Sequence, residues 1–498
     1  MSPRKDDRLA LQGGPKAFRR MHGRPEPKLG VEEFFAIAAR FGFKPKALKR
    51  LRATVSDKDL QGNGPNLARY FCAFPAPPKG EEFEALVREK FGVRYALGLS
   101  SGTGALHAAF MAAGVGPGTE VIVPAMGFMA TGMAVILAGG VPVFGDVDDS
   151  LHLDPAKIEA LITSRTVALA PTHHWGNVSD MAPILSIARR HKLKVIEDCA
   201  QAPGAKYRGK YVGSIGDIGC FSISAYKIIG GGEGGLAVTS NERLFDRIRQ
   251  AAEGGGLWRP DRFAPARYAG ELFPGTNYRL SELEATVNVV QIGKLDDICN
   301  RFRRVSREVR SRLRTFREIT PQKINDPDGY IGYLLRFFPA SDALGRQIVE
   351  ALAAEGIAAS RRGAEHRPDW HMARDMFPIT LKCSHVPGGS VFEDPRWLEK
   401  GGKVSYAGSC PVAVDLFGRE VMVSLDQWYD DADCQHVAHA LNKVLAAYCT
   451  AGVAVRPWIQ QPVGLRPPRV KTSVFRQAAS RRSANGPGMP QRVSPTAC

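Results

Sequence analysis

Short apolar runs alternate with amphipathic segments along the chain from about residue 80 to about residue 200. The amphipathic segments repeat apolar residues at three- and four-residue spacing, as one face of a helix requires, whereas the apolar runs have the length of strands. This alternation predicts an α/β domain with a mainly parallel sheet. The predicted strands are YALGL, EVIVPA, VPVFGDV, TVALAP and KVIEDC, and the predicted helices include EEFEALVREKF, MATGMAVILA, PAKIEALI and MAPILSIARRH.

The two ends of the chain lack this alternation. The first 60 residues contain one predicted helix, VEEFFAIAARFG, and little other periodicity. Residues 453–498 are rich in Pro, Ser and Arg and have no periodicity, so we predict that they form a disordered tail.

The positive charge is concentrated at the same two ends. The formal net charge is +17; residues 1–60 carry 15 Lys and Arg against 7 Asp and Glu, and residues 453–498 carry 8 Lys and Arg and no acid. The remainder of the chain is therefore close to neutral. Because charge on terminal extensions is usually solvated rather than arranged as a groove, we expect no nucleic-acid partner.

Cysteine usage and hydropathy place further bounds on the protein. No apolar run approaches the roughly 18 residues that a membrane helix needs, and the first residues, MSPRKDDRLA, lack the apolar core of a secretory signal. The nine cysteines are scattered, with no CxxC pair and no Cys/His cluster at zinc spacing. We therefore expect a cytoplasmic protein with reduced thiols, no membrane attachment and no metal site.

Two predicted strand ends carry residues suited to an anion and to a flat ring. In a parallel sheet, ligands bind at the carboxyl ends of the strands. After YALGL, Ser101, Gly102 and Thr103 begin a helix, where free amides, a hydroxyl and the helix dipole favour phosphate. A plain helix cap is the alternative there. After EVIVPA, Phe128 offers an aromatic side chain at the same edge, with an ordinary core position as the alternative.

Two further loops carry ionisable groups. Asp198 ends the apolar strand KVIEDC, where a buried carboxylate needs a cationic partner or strong hydrogen bonds; a structural Asp–Arg pair is the alternative. In FSISAYKIIGGGEGG, residues 221–235, Lys227 precedes glycines that let the backbone come close to a ligand. The stretch is not a nucleotide P-loop, in which glycine precedes the lysine and Ser or Thr follows it. For Lys227 alone, a surface hairpin position is the alternative.

One cofactor uses a phosphate cradle, a flat aromatic, a buried carboxylate and a lysine together, and it is pyridoxal 5′-phosphate (PLP). The carboxylate keeps the ring nitrogen protonated, the aromatic stacks on the ring, and the lysine forms a Schiff base. Since a lysine attacks as the free amine, we expect Lys227 to be desolvated, with a lowered pKa.

Several longer stretches resemble the DegT/StrS family of sugar aminotransferases. They are SSGTGALHAAF, VIVPAMGFMAT, VFGDVD, VIEDCAQAPGA, GDIGCFSISAYKIIGGGEGG and GTNYRLSELEATVNVVQIGKLD, in family order, with weaker similarity through CPVAVDLFGREVMVSL. The resemblance implies PLP fold type I: a large α/β/α domain with a mostly parallel seven-stranded sheet, and a smaller α+β C-terminal domain. The chain then divides into a basic N-terminal extension with a short helix (1–79), a large PLP-binding domain (80–300), a small C-terminal domain (301–452) and a disordered basic tail (453–498).

The resemblance also implies a role for each residue near the cofactor ring. Lys227 forms the Schiff base and then moves the proton during the transfer. Asp198 pairs with the pyridine nitrogen, and Gln201 lies beside the ring near its hydroxyl. Phe128 takes the stacking position. Lys227 and Asp198 are thus the implied catalytic residues.

Four residues are implied to hold the cofactor phosphate. Gly102, Thr103 and Ser222 come from the same chain. Asn277, in GTNYRL, corresponds to the family's asparagine that reaches the phosphate from the neighbouring subunit. The resemblance therefore implies a homodimer with shared active sites; a surface helix cap is the alternative for Asn277.

Three stretches depart from the family pattern and leave the substrate open. Ala225 and Tyr226 precede the lysine where small or polar residues are commoner. THHWG, residues 172–176, has two histidines and a tryptophan where the family usually has one histidine and a hydrophobic pair. EHRPDWH, residues 365–371, is the nearest match to the family's His-containing segment that lines the sugar site.

The leading functional hypothesis is a PLP-dependent aminotransferase that moves an amino group from glutamate or glutamine to a keto-sugar, often nucleotide-linked, or to a keto-cyclitol. One alternative is a PLP-dependent sugar dehydratase of the same fold, but that branch replaces the lysine by histidine, so Lys227 argues against it. The other alternative is a regulatory protein that keeps the PLP fold without turnover.

Overall fold

The structure, a computed structural model, describes residues 8–18, 27–60, 65, 67–69, 78–256, 265–266, 270–363 and 368–462. Its α-helices are α1 (Val31–Arg40), α2 (Pro45–Arg52), α3 (Lys79–Phe91), α4 (Gly102–Ala112), α5 (Ala130–Leu137), α6 (Pro155–Ile158), α7 (Met181–His191), α8 (Glu242–Ala252), α9 (Glu282–Ser311), α10 (Asp342–Ala354), α11 (Phe377–Thr380), α12 (Pro395–Leu398), α13 (Pro411–Arg419) and α14 (Asp431–Tyr448). Its β-strands are β1 (Tyr95–Leu99), β2 (Glu120–Pro124), β3 (Val141–Gly145), β4 (Thr166–Leu169), β5 (Lys194–Asp198), β6 (Lys206–Tyr207), β7 (Lys210–Tyr211), β8 (Ile218–Ser222), β9 (Gly235–Thr239), β10 (Ile319–Pro321), β11 (Leu334–Pro339), β12 (Ala359–Arg361) and β13 (Val421–Ser424). Within these ranges, no helix combines the length and the apolar character needed to span a membrane.

The larger sheet has seven strands in the order β1-β9-β8-β5-β4-β2-β3. The strands from β8 to β3 pair in parallel, whereas β9 is antiparallel to both of its neighbours. Helices connect β2 to β3, β3 to β4 and β4 to β5, whereas the β6–β7 hairpin lies between β5 and β8. The predicted α/β fold with a mostly parallel seven-stranded sheet is confirmed.

Successive side chains of a strand pack into two different apolar cores, one on each face of the larger sheet. The strands are therefore continuous apolar runs in the sequence. In β5, Val195 packs into one cluster with Phe83, and the next residue, Ile196, packs into the other cluster with Phe110. Because successive side chains of a strand point to opposite faces, both faces of the sheet are covered by helices. This three-layer arrangement leaves the ends of the strands as the places where loops can form a site.

The second sheet has four antiparallel strands in the order β10-β11-β13-β12. Helix α9 contributes Leu295 to a core of the larger sheet and Val309 to the core of the smaller sheet. The domain boundary predicted at residue 300 thus lies inside a continuous helix. The four-part division of the chain stays a prediction.

The N-terminal region contains one helix more than the sequence predicts. Helix α1 matches the predicted VEEFFAIAARFG, and α2 follows it after a short turn. Half of the residues of α2, PKALKRLR, are basic, and its leucines, Leu48 and Leu51, provide too short an apolar pattern to predict a helix. A proline at its first position starts the helix.

The disordered tail predicted from residue 453 is wrong for its first ten residues. Trp458 is 3% exposed and belongs to the core of the smaller sheet, and its Nε1 donates to the carbonyl oxygen of Arg314 at 2.9 Å. Arg456 pairs with Asp149 at 2.6 Å. One buried aromatic and a few polar contacts fix this segment without any periodicity in its sequence. Residues 463–498 lie outside the described residues.

The docking of this segment predicts that Trp458→Ala destabilises the protein. Removing a buried tryptophan side chain from a core costs about 3–5 kcal/mol of the free energy of unfolding. Urea denaturation followed by circular dichroism measures this loss. Ile459→Ala is the matched control, because Ile459 is 41% exposed and we expect a loss of about 1 kcal/mol. Equal losses for the two variants would contradict the buried position of Trp458.

Candidate active site

Predicted site residues follow the carboxyl ends of β1, β5 and β8, at one edge of the larger sheet. Gly102 and Thr103 follow β1, Asp198 is the last residue of β5, and Ser222 is the last residue of β8. The register of β5 and β8 pairs Asp198 with Cys220, two residues before Ser222. The structure brings these residues to the same edge, as a parallel sheet predicts.

The N-terminus of α4 and the end of β8 form a narrow cradle. Ser101 caps the helix, since its Oγ accepts a hydrogen bond from the Gly104 amide at 2.9 Å. The amides of Gly102 and Thr103, at the first two helical positions, have no acceptor within the helix. A Cβ at Gly102 would lie 2.8 Å from Cβ of Ser222. Ser101 is thus a helix cap, and the amides beside Ser222 suit an anion, so the phosphate role of Gly102, Thr103 and Ser222 stays a prediction.

Asp198 is buried, and hydrogen bonds rather than an arginine stabilise it. Its Oδ2 accepts a bond from the Thr131 hydroxyl at 2.5 Å, and its Oδ1 accepts one from the Ala200 amide at 3.0 Å. Asp198 is 3% exposed. The structural Asp–Arg pair does not occur among the residues that the structure describes. The carboxylate is positioned and still has acceptor capacity for a ligand.

Lys227 lines a cavity of about 540 Å³ together with Gln201 and Trp175. Burial lowers the pKa of Lys227, and the negative charge of Asp198 acts in the opposite direction. The neighbouring Tyr226 is 97% exposed. Tyr226 thus faces solvent, whereas Lys227 is half-buried and lines the cavity.

Two glycines of the run after Lys227 have identifiable functions. A Cβ at Gly235 would lie 2.0 Å from the carbonyl oxygen of Ser101, so only glycine lets β9 begin against the cradle. Gly232 has a φ of +124° and accepts a hydrogen bond from the Ala225 amide at 2.8 Å. Because glycine adopts such a conformation readily, the loop that carries the lysine can fold back on itself.

Phe128 lies at the mouth of the site, next to a segment that comes from the far end of the sequence. Its ring is 5.4 Å from the ring of His371. The amide of Gly127 donates to the carbonyl oxygen of His371 at 3.0 Å, and the amide of Met129 donates to that of Trp370 at 2.9 Å. His371 is therefore the described histidine of EHRPDWH that reaches the site; residues 365–367 lie outside the described residues.

The indole of Trp175 contacts both a charged side chain and an imidazole. Its ring centroid is 3.3 Å from Cζ of Arg336 and 3.6 Å from the ring centroid of His174. Trp175 has a φ of +49°, a left-handed conformation that a bulky residue rarely adopts. Its amide donates to Oε1 of Gln201 at 3.2 Å. The strained backbone of Trp175 thus lies at a place where this residue lines the cavity.

Arg336 introduces a buried positive charge behind Trp175. It is 1% exposed and lies 3.6 Å from Glu420, which is 0% exposed. Burial lowers the pKa of Arg336 and raises the pKa of Glu420, and their mutual attraction opposes both shifts. The cost of desolvation thus exceeds the attraction between the two groups, and the guanidinium keeps Nε and Nη1 without a hydrogen bond.

The two histidines of THHWG have different environments. His173 bonds through Nε2 to Glu197 at 3.0 Å and accepts through Nδ1 from the Ser179 amide at 3.1 Å. His173, Glu197 and Cys199 could in principle surround a metal ion. Because both ring nitrogens of His173 are used, the group is a buried hydrogen-bond network instead.

His174 is the less usual of the two. Its ring is buried, and neither nitrogen has a hydrogen-bond partner; burial, then the charge of Arg336, hold its pKa well below the usual value. Its amide donates to Nε2 of His152 at 3.0 Å. Burial, then the neighbouring His173, lower the pKa of His152 to about 3. Both imidazoles are therefore neutral at pH 7.

Asn277 lies outside this cluster of residues in its own chain. It is exposed, and its Oδ1 accepts a bond from the Arg279 amide at 3.2 Å. Ser281 caps α9, since its Oγ accepts from the Glu284 amide at 3.3 Å. The interpretation of Asn277 as the helix cap is therefore wrong, and its reach to a neighbouring subunit stays a prediction.

The sequence interpretation missed Thr131 and Arg336. Thr131 contacts Asp198 across 67 sequence positions, and a threonine inside MATGMAVILA gives no signal of that contact. Arg336 did give a signal, since it is a charged residue inside the apolar strand LLRFFP. A buried charge in a strand needs a reason, and here the reason is the neighbouring Trp175.

Comparison with known proteins supports the family resemblance. The sequence profile described as the DegT/DnrJ/EryC1/StrS aminotransferase family matches residues 75–362, which is more than half of the chain. The resemblance noted from the motifs is confirmed.

Two curated relatives and one solved structure illustrate the similarity. The chain is 43% identical over 217 residues to GDP-perosamine synthase of Caulobacter vibrioides, covering 43% of this chain and 57% of that one. It is 39% identical over 236 residues to L-glutamine:2-deoxy-scyllo-inosose aminotransferase of Streptoalloteichus tenebrarius, covering 46% and 55%. The match thus spans less than two thirds of these relatives. NtdA of Bacillus subtilis with bound cofactor PMP superposes with a TM-score of 0.59 at 25% identity, covering 74% and 78%.

The two neutral histidines predict a loss of stability at acidic pH. Their pKa values in the folded state lie below the unfolded value of about 6.5, so below that pH the unfolded chain binds protons that the folded chain does not. The free energy of unfolding therefore decreases as the pH is lowered below about 6.5. The decrease is about 1.4 kcal/mol per pH unit for each of the two histidines. His174→Phe removes one titrating group, and we expect a pH slope between pH 6 and pH 5 that is smaller by that amount.

Urea unfolding at pH 7, 6 and 5 measures these slopes. His436→Phe is the matched control, because His436 is exposed on α14. An unchanged slope for His174→Phe, or an equal change for the control, would contradict a neutral buried His174.

Proposed function

The chain belongs to the DegT/DnrJ/EryC1/StrS aminotransferase family, and from this we propose that it is a PLP-dependent aminotransferase. We propose that it moves an amino group from glutamate or glutamine to a keto-sugar, often nucleotide-linked, or to a keto-cyclitol. The observation that carries the proposal is the position of Lys227. Lys227 lines a cavity, burial lowers its pKa, and the negative charge of Asp198 acts on it in the opposite direction.

The residues present fit PLP at each of its three recognition points. The cradle of Gly102, Thr103 and Ser222 offers amides and a hydroxyl to a phosphate, in a space that a Cβ at Gly102 would fill. Asp198 is a positioned acceptor for a protonated ring nitrogen. Gln201 lines the cavity that Lys227 also lines, and it is the residue proposed to lie near the ring hydroxyl. Bound PLP supplies a protonated ring that accepts electrons from the substrate carbon.

The side chains of this chain then divide the work. Asp198 would hold a proton on the ring nitrogen of bound PLP, and Thr131 holds the Asp198 carboxylate in place. Phe128 would lie beside the ring and, with Trp175, would limit access of water. The Lys227 amine would hold the cofactor and would serve as the base that carries a proton. Because burial lowers its pKa, more of this amine is in the basic form near neutral pH.

The chemistry around the cavity supports a hydroxylated acceptor. Gln201, Tyr226, Ser424 and Gln427 line the cavity beside Lys227 and carry amide and hydroxyl groups. These donors suit the hydroxyl groups of a sugar or cyclitol. The names of two relatives, a GDP-perosamine synthase and a 2-deoxy-scyllo-inosose aminotransferase, cover both acceptor types. A screen of keto-sugars and keto-cyclitols with glutamate and glutamine as donors distinguishes them.

Cytoplasmic location is part of the proposal. The seven cysteines that the structure describes form no disulfide, and five of them are buried. Buried thiols of this kind are expected in a protein from a reducing compartment.

Lys227→Ala tests the central claim. The variant loses both the anchor and the proton carrier, so we expect the rate of amino transfer to fall by at least about a thousandfold. The assay measures 2-oxoglutarate formed from glutamate, together with the absorbance band of the lysine-bound cofactor. Lys210→Ala is the control, because Lys210 is an exposed lysine in the β6–β7 hairpin. Normal turnover by Lys227→Ala would show that the enzyme does not work through this residue.

The shared active site is tested by mixing two inactive variants. We propose that the protein is a homodimer in which Asn277 reaches the phosphate bound by the neighbouring subunit. A two-fold axis makes the two sites equivalent, so a heterodimer of Lys227→Ala and Asn277→Ala chains has one site with both defects and one site with neither. An equal mixture should recover about a quarter of the wild-type activity.

The mixing experiment has an independent control for assembly. Analytical ultracentrifugation measures the oligomeric state, and a tagged chain shows whether subunits exchange. Full exchange without recovered activity, or a fully active monomer, would contradict a role for Asn277 in the neighbouring site.

A further inference from the structure

A second cavity, of about 250 Å³, lies between α9, the loop around residues 324–330 and the segment 458–462. It shares no lining residue with the cavity of Lys227. The residues of α9 that line it are spaced three and four apart, so they occupy one face of the helix. They are Arg303, Ser306, Arg307 and Arg310.

The three arginines are unusual because none has a carboxylate partner among the described residues. Arg303 donates to the carbonyl oxygens of Tyr330 and Gly204 at 3.2 Å and 2.8 Å. Arg310 donates to the hydroxyls of Ser306 and Tyr330. Arg307 is exposed. A charged group that has only neutral partners keeps its full attraction for an anion.

Arg310 is the strongest part of this observation. It is 3% exposed, and its Nη1 has no hydrogen-bond partner in the part of the chain that the structure describes. Burying a guanidinium costs free energy that neutral hydroxyls compensate in part, whereas a counter-ion compensates more fully. A buried cation without an internal counter-ion thus points to an external one.

The chain offers little negative charge to fill that role. Among the residues that the structure describes, Asp328 is the one acidic residue that lines the cavity, and its carboxylate pairs with none of the three arginines. Residues 463–498 contain no Asp or Glu, so their side chains supply no carboxylate. Three guanidinium groups and one carboxylate leave a formal charge of +2, which a phosphate dianion balances.

We propose that this cavity binds a small anion bearing a phosphate group, either inorganic phosphate or a phosphate monoester. The planar fork of arginine matches the oxygen atoms of phosphate, and two or three arginines on one face are a common way to hold it. The cavity is large enough for a phosphate group with a small substituent. This site is additional to the cofactor cradle at α4 and does not depend on the proposed reaction.

Isothermal titration of the PLP-loaded protein tests the proposal, because bound cofactor fills the other phosphate site. The probes are inorganic phosphate and glucose 1-phosphate, with sodium chloride at equal ionic strength as the reference. We expect binding of at least one phosphate probe at one site per chain. Tighter binding of glucose 1-phosphate identifies a phosphate ester as the ligand class, and tighter binding of inorganic phosphate identifies the free ion.

A comparison of Arg307→Ala with Arg304→Ala distinguishes binding in this cavity from a general attraction of anions to positive charge. Arg307 lines the cavity and is exposed, so its loss leaves the core intact and should weaken binding about tenfold or more. Arg304 lies on the same helix, outside the cavity lining, and contacts the carbonyl oxygen of Tyr429; its variant should bind within about twofold of the wild type. Arg310→Lys keeps the charge but loses the fork, and should also weaken binding.

Three results would overturn the proposal. They are binding no stronger than that of chloride, unchanged binding by Arg307→Ala, and equal weakening by Arg307→Ala and Arg304→Ala. Circular dichroism of each variant confirms that it is folded before its affinity is compared.

Discussion

The hydrogen bond from Thr131 to Asp198 is the interaction on which the site depends. It joins the first turn of α5 to the last residue of β5, and so fixes a carboxylate at the strand end where a ligand can reach it. A buried carboxylate without such donors would be too costly to keep ionised. Phe128 and Ser222 are positioned relative to this carboxylate, because the loop with Phe128 precedes α5 and the strand with Ser222, β8, lies beside β5.

The sequence predicts the sheet and the residues at its strand ends because both depend on local patterns. Periodicity defines the strands, and in a parallel sheet the strand ends meet at one edge whatever the details of packing. Asp198, Gly102 and Ser222 could be named for this reason. Thr131, Arg336 and Trp458 depend on contacts between distant segments, and no local pattern carries that information. His371 is an intermediate case. Its motif, EHRPDWH, can be recognised in the sequence, but its contact with the loop of Phe128 cannot be predicted from it.

Near the cavity, several ionisable side chains are buried in states that lower the free energy of unfolding but suit the binding of a ligand. His152 and His174 are neutral through burial, and Arg336 is buried with a carboxylate that is too distant for a hydrogen bond. Each arrangement lowers the free energy of unfolding relative to an apolar core. A strained Trp175 at the same place adds a further cost. Such costs are typical of sites where side chains must face a polar ligand.

Helix α9 borders both cavities, since Ile298 and Phe302 line the first and Arg303 lines the second. Its first half packs against the larger sheet near Gly231, where a Cβ would lie 2.7 Å from Asn288. Its second half carries Arg303, whose Nη2 bonds to the carbonyl oxygen of Gly204. Gly204 lies in the loop that follows Asp198 and includes Gln201. Arg303 therefore lines the second cavity and also contacts the loop that carries Gln201, a residue of the first cavity.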